Sequence, residues 1–473
     1  MATSFAGVTL LVGALLAAVP AASLSAPVSW LTYGFNDQRS GYNPGEATIG
    51  VGNAASLHKL WSTDLGDVMI AQPIEAAAVS VGGVSTDVVY EGTEHGDLYA
   101  IRANDGQQVW HKNLGSVQTT CYNMPDGVYG IGGSAAIAFT GPGTGVLYVA
   151  SGDGSVHALD LATGSEQAGW PVSGVFTPAQ EHVWSAVNLL AGKLYVSVAS
   201  HCDRAPYYGD TVELDVQKRA IVHRFYPAGP PSGGISGGGI WGYGGAAIDP
   251  SNRHVFVATG NALTRPDNYL YSDAVVELSQ SLKILGWNSP ILSGNDVDFG
   301  ATPTLFRPTG CPVTLVAAKN KTGLLVVYAE GGLAGGDRQR LQIARTTDWQ
   351  FNGNPAWDPV TNMLYVSSSS DSSSGPYRHG MVALKAASDC SLSLAWQQSV
   401  GPNSASVSSP TVANGVVYYG DGRGKQEFAF DAATGNQLWS SGSTTGQLFA
   451  APTVVNGELF VASWDHHLYA FGP

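Results

Sequence analysis

Along this chain, apolar residues alternate with small or polar ones in runs of about four to eight, and Gly, Asn or Asp breaks each run. That alternation predicts half-buried strands, because successive side chains of a strand point to opposite faces. The strands recur in a fixed order. Val146–Gly152, Leu194–Ser200, Val255–Asn261, Met363–Ser369 and Leu459–Trp464 each open a pair. The second members are easiest to track and begin at Leu98, Val156, Val212, Val275, Leu325, Met381, Phe428 and Leu468. These eight copies, spaced roughly 40 to 63 residues apart, predict a radial array of small sheets.

A tight turn and then a tryptophan follow several copies. Asp160-Leu-Ala-Thr-Gly164 leads to Trp170, Asp431-Ala-Ala-Thr-Gly435 to Trp439, and Ala103-Asn-Asp-Gly106 to Trp110. Glycine supplies the positive φ that such a reversal needs. The tryptophan then belongs to an outer strand, where its face packs on the next sheet. The last copy, Phe449–Pro473, has three strands and no tryptophan strand. The matching strand lies at the other end of the chain, in His58–Gly66, with Trp61. A last repeat completed by the N-terminus predicts a closed ring: an all-β, eight-bladed β-propeller over residues 58–473. Closure removes the exposed sheet edges that an open array would leave.

Composition agrees with this reading. Charged residues are 12% of the 473, and 60 are glycine, which suits a turn-dense β protein. A formal net charge of −14 argues against nucleic-acid and anionic-membrane partners, since both require a basic face. The apolar run Val8–Val19 and the small residues Ala21–Ala26 mark residues 1–26 as an export signal, although no Lys or Arg precedes Arg39. The run is too short to span a bilayer, and no second run is long enough. An extracytoplasmic monomer is expected, with residues 27–57 leading into the propeller.

Four cysteines suit an oxidising compartment, and none has zinc-type spacing. In four-stranded blades, the 2→3 and 4→1 connections share one face, and the 1→2 and 3→4 connections share the other. Cys121 and Cys202 fall on the first face, Cys311 and Cys390 on the second. Two disulfides are predicted accordingly, Cys121–Cys202 and Cys311–Cys390.

The recurring Asp-x-x-Thr-Gly-x-x-x-Trp turn resembles the tryptophan-docking repeat of the pyrroloquinoline quinone (PQQ) propeller family, and Trp30–Asn43 looks like the opening segment of its secreted members. Three further segments are similar to the quinoprotein alcohol dehydrogenases, polyvinyl-alcohol-dehydrogenase-like members above all. In Gly237–Asn261, the resemblance implies that Trp241 lies under the cofactor ring and that Asn261 binds calcium. In Asn295–Pro303 it implies a catalytic base, Asp298 or else Asp296, with Asp298 also near the metal. In Val316–Leu324 it implies that Lys319 sits beside the quinone oxygens. The loop pattern places all of these except Asp296 at one axial mouth.

The chain also departs from that pattern. One cysteine, Cys121, stands where many relatives carry two adjacent ones. The expected calcium-binding glutamate is absent from Ser200–Pro206, where Asp203 is the available substitute. No haem-attachment motif is present. Two functions follow as alternatives. One is a PQQ- and calcium-dependent dehydrogenase acting on an alcohol or polyol. The other is a non-catalytic propeller binding a peptide, polysaccharide or protein at the funnel or its rim.

Overall fold

The computed structural model describes residues 1–4, 27–290, 296–346, 353–401, 408–443 and 446–473. The export-signal expectation therefore falls largely outside the described residues. Eight small antiparallel sheets stand around an axis. Blade 1 is built from Ile74–Val81, Val84–Gly92, Asp97–Arg102 and Gln108–Asn113, in chain order from inside to outside. The inner strands of the next seven blades are Ala136–Gly141, Asn188–Leu190, Ala247–Ile248, Thr304–Phe306, Ala356–Asp358, Thr411–Ala413 and Thr453–Val455. The ring closes as the repeats predict. His58–Asp64 pairs antiparallel with His467–Gly472 as the outer strand of blade 8. No helix among the described residues is long and apolar enough to cross a membrane.

Tryptophans join blade to blade. Trp61 of blade 8 donates its indole N–H to the Ala103 carbonyl of blade 1 at 2.6 Å. Trp110 of blade 1 donates to Leu161 of blade 2 at 2.8 Å, and Trp396 of blade 6 to Ala432 of blade 7 at 3.0 Å. Each ring lies on the turn glycine of the neighbour. A methyl group at Gly164 would stand 2.8 Å from the Trp110 ring, and one at Gly435 would stand 2.5 Å from Trp396. The Thr-Gly turn thus serves both the local reversal and the docking surface. Trp439 packs edge-on against Phe471 of blade 8. Blade 2 departs from the expectation. Its fourth strand is reduced to isolated bridges at Leu159–Glu166 and Val156–Val172. Trp170 therefore lies outside any strand, against Tyr148.

The segment Trp30–Asn43 is not a mere lead-in. It crosses the ring interior and bonds the inner strand of every blade. Trp30 and Glu75 exchange backbone hydrogen bonds, and Ile137 N–H donates to the Leu31 carbonyl. The Asp37 carbonyl accepts from the Asn188 amide and from Ile248 N–H, and Gln38 accepts from Leu305. Ser40 accepts from Trp357, Gly41 from Val412, and the Asn43 amide donates to the Val454 carbonyl. Inner strands of a propeller present one unpaired edge to the axis, and buried backbone groups left unpaired are costly. This segment satisfies them in sequence from blade 1 to blade 8. Arg39 anchors it, 1% exposed, with its guanidinium donating to the carbonyls of Ala246 and Tyr33 and to the Thr32 hydroxyl.

Three glutamates, Glu75, Glu91 and Glu427, are buried on inner and middle strands. Desolvation raises each well above the usual carboxylate range. The folded state therefore holds these protons while the unfolded chain releases them above the ordinary glutamate value. Stability is expected to fall as pH rises from about 5 towards 8. Thermal melting across that range tests this, and Glu91→Gln should flatten the profile.

Candidate active site

The face carrying the 2→3 and 4→1 connections bears a cluster built by three blades. Asp203 lies in the loop after Lys193–Ser200 of blade 3, and Asn261 follows Val255–Ala258 of blade 4. Asp296 and Asp298 belong to the connection from blade 4 to blade 5. Lys321 sits in the turn between Leu315–Lys319 and Leu324–Ala329. One oxygen of each of Asp203, Asp296 and Asp298 lies within 4.8 Å of the other two. Lys321 Nζ donates to Asp296 Oδ1 and to Asp298 Oδ2, both at 2.6 Å. Asp298 Oδ1 accepts from the Asn261 backbone N–H at 2.6 Å. The Lys321 backbone N–H in turn donates to the Asp298 carbonyl, which fixes turn and connection to each other.

Trp241 lies beside this cluster, with the Lys321 ammonium 5.8 Å from its ring centre. The glycine-rich stretch has its reason here. A methyl group at Gly260 would stand 2.5 Å from Asp298 Oδ1 and 2.6 Å from the Trp241 indole nitrogen. One at Gly239 would stand 2.8 Å from the Trp241 ring. Bare backbone lets the indole lie flat against the chain next to the carboxylate.

Trp241 also lines a cavity of about 350 Å³. Trp184, Tyr243, Phe449 and Trp464 form most of its wall, and Arg423 and Asn123 add polar groups. Tyr33 of the axial segment packs against Tyr243, so the segment that ties the blades also backs this wall residue. Such a chamber, mostly aromatic with a few converging polar groups, is the usual form of a small-molecule site.

Electrostatics divide the acids by role. Asp298 is fully buried, and both its oxygens are bonded. Asp296 has a side chain 45% exposed. Burial raises its carboxyl above the usual range, and the nearby Lys321 charge opposes that rise. Asp203 is pushed up to about 6, by burial first and then by the Asp298 charge, while the Tyr207 hydroxyl donates to it. Burial disfavours the Lys321 charge, yet Asp298 and Asp296 outweigh it and raise the ammonium above its ordinary value. Asn261 Oδ1 is buried and has no hydrogen-bond partner among the described residues.

Trp241, Asn261, Asp296 and Asp298 are thus brought together. Lys319 is not. Its fully buried ammonium donates to the Ser367 carbonyl of blade 6, and burial pushes it down to about 7. The cation that meets the carboxylates is Lys321, two residues further on. Lys319 is still on the strand and points into the blade interface, whereas Lys321 is in the turn, which opens on the mouth. The rule that 2→3 turns face the mouth carried this signal. It also covered Trp464 and Arg423, which sit in the corresponding turns of blades 8 and 7.

Both predicted disulfides are formed, Cys121–Cys202 and Cys311–Cys390. Cys121 packs in one apolar cluster with Trp184 and Trp241 at the cavity. A second group, His254, Glu277 and Glu330, also brings ligand-type atoms together. It is already occupied by internal bonds, His254 to Glu277 and Asn252 to Glu330.

Comparison with known proteins agrees with the architecture. Residues 30–184 match the family model described as glucose/ethanol/alcohol dehydrogenase, β-propeller domain. Residues 381–472 match the model described as outer membrane protein assembly factor BamB. No curated protein matches the sequence. Among solved structures, the quinohemoprotein alcohol dehydrogenase from Comamonas testosteroni is 17% identical, with a TM-score of 0.67 over 94% of this chain and 80% of its own. A europium-containing methanol dehydrogenase is 14% identical, with a TM-score of 0.67 over 95% of this chain and 98% of its own. BamB from Moraxella catarrhalis is 14% identical, with a TM-score of 0.56 over 88% of this chain and 100% of its own. At these identities the structures speak for the fold, and the family models match its repeats at both ends: the chain is a PQQ-repeat β-propeller with the quinoprotein alcohol dehydrogenase-like fold.

Proposed function

We propose that the protein is an extracytoplasmic oxidoreductase that binds pyrroloquinoline quinone with calcium or another hard cation at this mouth and oxidises an alcohol. The observation that carries the reading is the convergence of Asp203, Asp296, Asp298, Asn261 and Lys321 on the Trp241 indole at the rim of an aromatic chamber. A scaffold that binds only at its rim has no need of buried carboxylates there, since burying charge is costly.

The residues fit both groups. A hard cation takes oxygen ligands, and Asp203, Asp298 and the unpartnered Asn261 Oδ1 would supply them. Three carboxylates and one ammonium leave a charge of −2 when all are ionised, which a divalent ion would balance. Trp241 and the other aromatic walls suit a planar ring, and Arg423 suits its anionic substituents. When bound, the quinone accepts hydride from the alcohol carbon.

The chain's own groups do the rest. Asp296, the accessible carboxylate, takes the hydroxyl proton. Exposure moves this role to Asp296 from the sequence-based preference for Asp298. Asp298, with both oxygens engaged, holds Lys321 and the cation in place. Lys321 stabilises negative charge at the reacting edge, and the aromatic walls keep water out.

Purified protein should retain quinone absorbance after desalting when supplied with PQQ and Ca²⁺, and should then reduce an artificial dye when an alcohol is added. Protein that keeps no quinone would overturn the reading.

A further inference from the structure

Beside the carboxylate cluster, a covalent link joins two loops from different blades. Cys121 belongs to the connection between blades 1 and 2, and Cys202 to the 2→3 loop of blade 3. The residue after Cys202 is Asp203. Its backbone is in the left-handed region, at φ 53°, and it is not glycine. Such a conformation is unfavourable for a side-chain-bearing residue and persists only where the surroundings hold it. Here the Asp203 N–H donates to Ser200 Oγ at 2.8 Å, and the Tyr207 hydroxyl donates to the carboxylate. On the far side of the bond, the Asn123 amide donates to the His201 carbonyl at 2.9 Å, binding the same two loops together again.

We propose that the Cys121–Cys202 disulfide is a positioning device: it sets Asp203 against Asp298 and Asn261, so that capture of a hard cation at the mouth depends on the oxidised bond. The proposal rests on the cation site put forward above. It explains why an aspartate can serve at a place where the resemblance leads one to expect the longer glutamate. A short side chain reaches the site only if its backbone is held closer. It also gives the mouth a redox dependence, since a reductant that opens the bond would release the loop that carries the ligand.

The second disulfide provides an internal control. Cys121–Cys202 and Cys311–Cys390 span 81 and 79 residues. In the chain-entropy account, loops of such similar length restrict the unfolded chain equally. Removing either should therefore lower the melting temperature comparably. Only the first should change cation binding.

The test uses the full chain and Tb³⁺ as the probe, read by tryptophan-sensitised emission and competed with Ca²⁺. Wild type should bind one Tb³⁺. The Cys311→Ser/Cys390→Ser variant should bind it with unchanged affinity. The Cys121→Ser/Cys202→Ser variant should bind at least about tenfold more weakly, the range found when supports of metal ligands are removed. Asp203→Asn should weaken binding as much, with little further loss when combined with the cysteine pair, because both changes remove the same ligand. If the Cys121→Ser/Cys202→Ser variant does not fold, the Cys311→Ser/Cys390→Ser variant, which retains the Cys121–Cys202 bond alone, is compared before and after reduction, with circular dichroism confirming the fold. Equal Tb³⁺ affinity with and without the Cys121–Cys202 bond overturns the proposal and leaves the cation site standing. Equal weakening by loss of either disulfide overturns it as well, by showing a general loss of rigidity. A wild type that binds no Tb³⁺ overturns the cation site itself.

Discussion

Arg39→Ala is expected to lower the free energy of unfolding by about 3–5 kcal/mol, more than any single loop change in this protein. The reason is where the guanidinium stands. It is buried within the axial segment and donates to Ala246, Tyr33 and Thr32; alanine would leave the Tyr33 carbonyl and the Thr32 hydroxyl without this donor in the interior, while the Ala246 carbonyl keeps the Asn188 amide. Each stranded buried acceptor costs about 1–3 kcal/mol, and the empty volume adds to that. Burial lowers the guanidinium pKa to about 10, with Asp37 and Tyr33 opposing that shift, so it remains charged at neutral pH. Arg39→Lys keeps a charge but lacks the planar fork that reaches several acceptors at once, and should recover only part of the loss. Equilibrium denaturation in guanidinium chloride measures both variants. A loss below about 1 kcal/mol for Arg39→Ala would show that the segment merely lies on the blades. The effect should reach the mouth too, because Tyr33, whose carbonyl accepts from the Arg39 guanidinium, packs against Tyr243 of the cavity wall.

Asp296→Asn is expected to lower kcat about 10³-fold with quinone and cation both retained, a loss within the usual range for removing a general base. The amide cannot accept the hydroxyl proton but keeps the shape of the side chain and a hydrogen bond from Lys321. Asp298→Asn should behave differently. It removes a ligand and one anchor of the Lys321 ammonium, so binding of Ca²⁺ or Tb³⁺ should weaken along with turnover. Steady-state dye reduction beside cation titration separates the two outcomes. If Asp298→Asn alone abolished turnover with the cation held at wild-type affinity, the base would be Asp298.

Much of the architecture is legible in the sequence. Alternation marks the strands, the repeat period marks eight blades, and the last repeat's missing fourth strand points to ring closure by His58–Asp64. Because every blade has the same strand order, its loops sort onto two faces, and this alone paired Cys121 with Cys202 and Cys311 with Cys390. The loop pattern also assigns Trp241, Asn261 and Asp298 to one mouth, where the structure brings them together with Asp296. It was misled at Lys319, where two lysines stand two residues apart. Sequence position does not say which ammonium turns into the blade interface and which reaches the carboxylates.

The sequence by itself determined what repeats: strand order, blade number, the closing strand and the face of each loop. These follow from periodic side-chain chemistry, which is local and recurs in every copy. Only the tertiary structure decided what does not repeat. The path of Trp30–Asn43 across all eight inner strands, the bridging of two aspartates by Lys321, and the aromatic walls from Trp184 to Trp464 each depend on residues far apart in the chain. Such contacts are set by where the closed ring brings unlike loops together, and no period in the sequence records them.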